Sequence, residues 1–259
     1  MSYGADFFTH VDATAEGSAR RVLPLVAELL EPRSVLDVGC GLGAWLAEAA
    51  ALGIDDYVGV DAHAPVESLR ISAERFVRHD LSTPLDLGRR FDLVISVEVA
   101  EHLPPGAADT FVESLVRHGP AVLFSAAVPQ QSGTDHLNER WPDYWAERFA
   151  ARGMVAVDAL RPALWDDEGV SWWYRQNMLL FCSRELVERT PALGAAASAT
   201  RPRQLAVVHP ILYRWMVHQR DELAAEAARP PSLREVIDMV PGAASRAVRR
   251  RTTRSDGDN

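Results

Sequence analysis

The sequence predicts a three-layer α/β sandwich: a mostly parallel sheet with helices on both faces, followed by a helical C-terminal extension. Three observations predict it. Residues 34–45 read as strand, glycine turn and helix. From Arg33 onward, short apolar runs alternate with stretches of helical periodicity, the pattern of parallel strands joined by crossover helices. Asp61, Asp80 and Glu98 each follow an apolar run, at the strand ends where open α/β sheets take their ligands.

The elements follow in order. Residues 1–12 carry Tyr3, Phe7 and Phe8, which read equally as a flap over a cleft or as packing on the domain edge. Val22, Leu25, Val26, Leu29 and Leu30 form a helical stripe over residues 18–30, ended by Pro32. Residues 35–38 form a buried strand that runs into Gly39, Gly41 and Gly43, and a helix continues through Leu46, Ala49, Ala50 and Leu52. Glycine lets a ligand lie against the backbone, and a helix start offers free N–H groups and a positive dipole end. Further strands are expected at 57–60, around 75–77, at 91–98 and at 121–126, with a helix from Pro104-Pro105 to Val116. Residues 128–139 form a polar loop. Residues 141–152 read as a helix with Trp141, Trp145 and Phe149 on one face, Tyr144 beside them and Gly153 at its end. Such a stripe is more often core than substrate box. Strands at 155–160 and 178–182 flank an irregular, aromatic connection over 161–176.

The main domain is expected to span 1–189, with an N-terminal cap segment. Residues 190–203 are Ala/Ser/Pro-rich and read as a linker, 204–242 as a helical extension, and 243–259 as a disordered tail. The extension carries a stripe of Leu212, Trp215, Met216, Gln219 and Leu223. It is read as docking a partner subunit, as in a homodimer, or as covering the domain's own flank.

Every basic side chain other than histidine is arginine, and the formal net charge is −9, which argues against a general nucleic-acid grip. The basic cluster from Arg246 to Arg254 reads as a solvated tail. Two cysteines without metal or disulfide spacing fit a reducing cytoplasm. Neither a secretory signal nor a membrane-spanning apolar run is visible.

Gly39, Gly41 and Ala44 also satisfy the loose dinucleotide fingerprint, so the glycines alone do not choose the nucleotide. Asp37 does. A carboxylate just before the turn repels a pyrophosphate and attracts an ammonium. S-adenosylmethionine (SAM) carries an α-ammonium and no phosphate.

With these motifs in this order, residues 20–183 resemble the class I SAM-dependent methyltransferases. The resemblance implies a Rossmann-like, seven-stranded sheet whose last two strands form an antiparallel edge hairpin. It also implies that Asp37 and the backbone of Gly39, Cys40 and Gly41 hold the methionine end, and that Asp61 takes the ribose diol. Asp80 would accept from the adenine amine, the Leu81 amide would meet a ring nitrogen, and Glu98 would lie near the transferring methyl. Singly, Asp80 reads as well as a helix N-cap, Asp61 as a turn residue and Cys40 as a small buried filler.

Glu98, Glu101 and His102 are spaced to share one side of a helical turn, and His136 follows the next strand. Together they could hold Mg²⁺, Mn²⁺, Fe²⁺ or Zn²⁺ beside a substrate hydroxyl. The Glu-x-x-Glu-His string resembles the metal site of small-RNA terminal 2′-O-methyltransferases and the same string in ubiquinone-pathway O-methyltransferases. The chain departs from the RNA enzymes in its acidity and in lacking an evident RNA-binding module. Without metal, His136 or His102 becomes the general base beside Glu98, with Asn138, Trp141 and Tyr144 contacting substrate. The expected reaction is O-methylation of a small-molecule hydroxyl, on a sugar, polyol or catechol-like acceptor of secondary metabolism. The alternatives are metal-independent N-methylation, a non-catalytic SAM-binding module and an NAD-dependent enzyme.

Overall fold

A computed structural model describes residues 5–229, with side chains from residue 14 onward. A long helix, α1 (Ala5–Leu30), precedes β1 (Ser34–Val38), α2 (Ala44–Ala51), β2 (Asp56–Asp61), β3 (Phe76–Arg78) and β4 (Leu93–Val97). Then come α3 (Ala108–His118), β5 (Ala121–Ser125), α4 (Pro142–Ala150), β6 (Met154–Val157), α5 (Arg161–Leu164), α6 (Trp172–Asn177) and β7 (Leu179–Ser183). Three further helices follow: α7 (Arg184–Arg189), α8 (Pro191–Ala199) and α9 (Pro210–Ala228).

The strands form one seven-stranded sheet, β3-β2-β1-β4-β5-β7-β6, in which only β7 runs antiparallel to its neighbours. This is the Rossmann-like sheet with an antiparallel edge that the sequence predicted. β4 and β5 are buried along their whole length because helices cover both faces, which is why they read as continuous apolar runs. One core contains Val22, Val26, Trp45 and Leu46 from α1 and α2; the other contains Phe111, Leu115, Trp145 and Phe149 from α3 and α4. In the second, Phe149 stacks on Phe181 at 3.9 Å between ring centroids, and Phe124 meets both edge-on.

The register brings the functional strand ends to one rim. Val38 pairs with Val60, and Val97 with Ser125. The N–H groups of Gly39 and Cys40 both donate to Val60 O, at 2.7 and 3.0 Å, so the glycine turn is tied to the end of β2.

Several expectations are corrected. Helix α1 starts at Ala5 rather than near residue 18, so the stretch bearing Phe7 and Phe8 is helical; the flap and edge-packing readings of their side chains and of Tyr3 fall outside the described residues. The irregular 161–176 connection contains α5 and α6. The linker expected at 190–203 folds as α8, with Leu193 fully buried. Alanine is the best helix former, so an Ala-rich stretch was a helix signal and not a linker signal. The chain divides into two compact units, 1–210 and 211–259. Of the second unit, the described part is the body of α9, where Tyr213, Trp215 and Leu223 are exposed and Leu212 is buried. The capping box at 232–235 and the tail at 243–259 lie outside the described residues. No helix among the described residues is long and apolar enough to cross a membrane.

Candidate active site

A cavity of 440 Å³ opens at the rim. One wall is the glycine turn with Asp61, Asp80 and Leu81; the other is built from Glu98, Glu101, His102, residues 131–134 and His136, with Trp172, Trp173 and Tyr174 alongside.

The glycine turn shapes the first wall. Gly39 and Gly41 take left-handed φ of 87° and 53°, which favour glycine. A Cβ on Gly41 would meet nothing within 4 Å, whereas one on Gly39 would lie 2.4 Å from a methyl of Val99. Asp61 accepts from Gly41 N at 3.0 Å through one oxygen, and from His63 N and Ala64 N at 2.7 and 2.9 Å through the other. It is thus a turn residue and a cavity residue at once. Asp80 likewise closes a local turn, accepting from Ser82 N and Ser82 Oγ, and these bonds hold its carboxyl below the usual range. Cys40 is buried, and burial beside Asp37 and Asp61 pushes its thiol well up, so it is a filler and not a nucleophile.

Asp37 is 1% exposed and does not line the cavity. Its Oδ2 meets no donor, and burial, with the charge of Asp61, drives its carboxyl well above the ordinary range. A buried, unmatched acceptor beside the glycine turn fits a cationic ligand group. A folded pKa above the unfolded one supplies stability below the unfolded value and loses it as pH rises through the folded value. We expect Asp37→Asn to gain melting temperature relative to the parent as pH rises above the usual carboxylate range, measured by thermal unfolding without cofactor. A difference that does not change with pH would contradict this.

On the second wall the expected helical turn is broken. Glu98 has a left-handed φ of 53°, and Ala100–His102 form a single 3₁₀ turn. Glu98 is clamped: Gln131 Nε2 donates to one oxygen at 2.8 Å and Asn177 Nδ2 to the other at 3.2 Å. Glu101, His102 and His136 offer ligand atoms within 4.8 Å of one another. Glu98, expected as a fourth ligand, is not in that group: the expected spacing assumed a regular helix, and Glu98 takes a left-handed φ. Glu101 is fully buried with neither oxygen hydrogen-bonded, and burial, then the neighbouring Glu98, pushes its carboxyl well up. Burial and the His136 charge lower His102 to about 4, so its ring is neutral at physiological pH. The His102 and His136 rings meet edge to face at 4.9 Å.

A family model described as a methyltransferase domain matches residues 11–178. The chain belongs to the methyltransferase-domain family. It is an enzyme of the class I, SAM-dependent fold. No curated protein matches it in sequence. Among solved structures, this methyltransferase is similar to the sugar N-methyltransferase KedS8 from Streptoalloteichus sp ATCC 53650, with a TM-score of 0.54 and 18% identity over 71% of this chain and 94% of that one. It is also similar to Streptomyces venezuelae DesVI, with a TM-score of 0.51 and 15% identity over 69% and 96% of the two chains. Human N-acetylserotonin methyltransferase in complex with SAM follows at 0.50 and 16%, over 68% and 55%. These likenesses show the fold.

The methyltransferase's cavity therefore gathers Gly39, Cys40, Gly41, Asp61, Asp80, Leu81, Glu98, Glu101, His102 and His136. It does not include the expected substrate contacts. Asn138 is 2% exposed and donates nothing from its amide nitrogen; Trp141 caps the start of α4 and is exposed, and Tyr144 lies on α4, whose Trp145 and Phe149 turn into the core. Tyr144 instead sits under the guanidinium of Arg148, 3.4 Å from its ring centroid. Sequence reasoning missed Gln131, Asn177 and Glu139. Each acts through a partner distant in sequence or across a loop, and no local motif marks it.

Proposed function

We propose that this methyltransferase transfers the methyl of SAM to a hydroxyl of a small-molecule diol, such as a catechol, polyol or sugar, with the help of a divalent cation. The single observation that carries the reading is the convergence of Glu101, His102 and His136 on the cavity wall facing the glycine turn. One carboxylate and two imidazoles are a donor set suited to a borderline divalent metal, with coordination positions left open. The buried Glu101 carboxyl, raised by its surroundings and so in need of a positive partner to ionise, and the neutral His102 ring support it.

When bound, SAM supplies an electrophilic methyl on a sulfonium, and the cation lowers the pKa of a hydroxyl it holds. The chain's own part is positional. Asp61 and the backbone N–H of Gly41 would fix the nucleoside, with Asp37 behind the turn receiving the ammonium. Glu101, His102 and His136 would hold the cation. Glu98, fixed by two amides, would stand as the carboxylate nearest the transferring group. Trp172 and Trp173 would cover the acceptor.

Incubation with labelled SAM and a panel of diols tests the reading. We expect label in an O-methyl product, turnover lowered at least about tenfold after chelation, and recovery with Mn²⁺ or Mg²⁺. Undiminished turnover after chelation excludes the cation and favours an amine acceptor. Bound SAM without transfer to any acceptor favours a binding module, and affinity for NAD without affinity for SAM overturns the cofactor.

A further inference from the structure

Residues 128–139 form a loop with an unusual backbone. Gln130, Ser132 and Asp135 all take left-handed φ, at 68°, 65° and 57°. Each such non-glycine residue costs on the order of 1–3 kcal/mol and persists only where the surroundings enforce it. One side chain ties two of these three residues down. Glu139 Oε2 accepts from Gln130 N at 2.6 Å, and Oε1 accepts from Ser132 N at 3.0 Å and from His136 Nδ1 at 2.8 Å.

Two of the three groups pointing at Glu139 are backbone N–H donors, so the site is built for an acceptor. A carboxylate that accepts from Nδ1 requires the proton to sit there, which in the neutral ring leaves the lone pair on Nε2. The Glu139 and His136 side chains are 20% and 13% exposed, enough out of solvent for the pair to set the ring's orientation. A second, independent feature fits the ring to its place. A Cβ on residue 133 would lie 2.2 Å from His136 Nε2 and 2.4 Å from Cε1, so only glycine leaves the imidazole its room. The same loop also steadies the other imidazole, since the backbone at Asp135 and Thr134 hydrogen-bonds the His102 ring.

We propose that Glu139 is a positioning residue that locks His136 as the Nδ1–H tautomer and aims its Nε2 at the cavity beside His102. Its use in holding a cation rests on the function proposed above; the tautomer does not. A carboxylate behind a ligating histidine fixes the ring and raises its basicity, and losing it typically costs about 10–100-fold in metal affinity.

The test uses the full chain and two readouts. Nitrogen-15 NMR of the imidazoles reports the tautomer, and calorimetry with Mn²⁺ reports affinity. The parent is expected to show His136 as a single Nδ1–H tautomer. Glu139→Gln keeps one oxygen to accept from Gln130 N, while its amide nitrogen, at the position of Oε1, can donate to Nδ1 at the cost of the Ser132 N–H bond. It is expected to shift the ring toward the Nε2–H form and to weaken Mn²⁺ binding by about 10–100-fold. Gly133→Ala keeps Glu139 and is expected to retain the tautomer while weakening Mn²⁺ binding. A parent with mixed tautomers, or a Glu139→Gln variant with unchanged tautomer and affinity, overturns the proposal. If the parent binds no Mn²⁺ yet loses its tautomer in Glu139→Gln, the positioning role stands and the cation is the part that fails.

Discussion

Glu101→Gln is expected to lower turnover by on the order of 10³-fold, since metal assistance is worth several kcal/mol, while leaving the protein as stable as the parent or more so. The two effects part because of where the carboxyl sits. It is fully buried, neither oxygen finds a hydrogen-bond donor, and Glu98 lies next to it. Such a group costs folding free energy whenever it ionises. An amide of the same size removes that cost, so thermal unfolding at neutral pH is expected to show an unchanged or raised midpoint. It also removes the anionic member of the ligand set, so Mn²⁺ affinity should fall with turnover. A residue kept for packing would give the opposite result: a lower midpoint and near-normal turnover. That result would remove Glu101 from the proposed ligand set.

Asp61→Ala is the second large effect, and it falls on the cofactor. Three backbone N–H groups donate to this one carboxylate: Gly41 across the turn, and His63 and Ala64 after β2. Hydrogen bonds to a charged group are worth about 1.5–3 kcal/mol each, so losing them loosens Gly41 and the segment after β2, although Gly39 and Cys40 stay tied to Val60 O. The proposed contact to the ribose diol goes with them. We expect SAM affinity to fall by about 100-fold or more by calorimetry, since two such bonds exceed the ~2.7 kcal/mol this requires. Asp61→Asn should rescue little, because its amide nitrogen must face a backbone donor. Retention of parental affinity in Asp61→Ala would leave Asp61 a turn residue only.

The sheet was legible in the sequence because its strands are covered on both faces. Val35, Leu36, Val94, Ile95, Val122 and Leu123 are buried almost completely, and a buried strand leaves an unbroken apolar run. The glycine turn was legible because left-handed backbone at Gly39, Gly41 and Gly43 leaves a residue-type mark. The second wall was less so. Its spacing was read as a helix, yet the chain reverses at Glu98, a non-glycine residue that gives no warning of a left-handed φ. The expected substrate contacts Asn138, Trp141 and Tyr144 are not in the cavity lining, while Trp145 and Phe149 pack in the core, as their helical stripe suggested. The aromatic groups that do reach the cavity, Trp172, Trp173 and Tyr174, come from α6, in a stretch that read as irregular. Glu139 was invisible because its hydrogen bonds depend on the strained path of a loop, which no periodicity encodes.

The hydrogen bonds of α5 and α6 reach past the last strand. Gln176 Oε1 accepts from His209 N at 2.7 Å, and Arg161, itself 3% exposed, donates to Leu205 O at 2.7 Å. Gln176 Nε2 passes the link to Asn177, which holds Glu98. Trimming the protein at the end of β7 would therefore leave Gln176 Oε1 without its donor and Arg161 without one of its acceptors, and would loosen the cavity from behind. Anyone shortening this enzyme for crystallisation or display should cut after Pro210, not after β7.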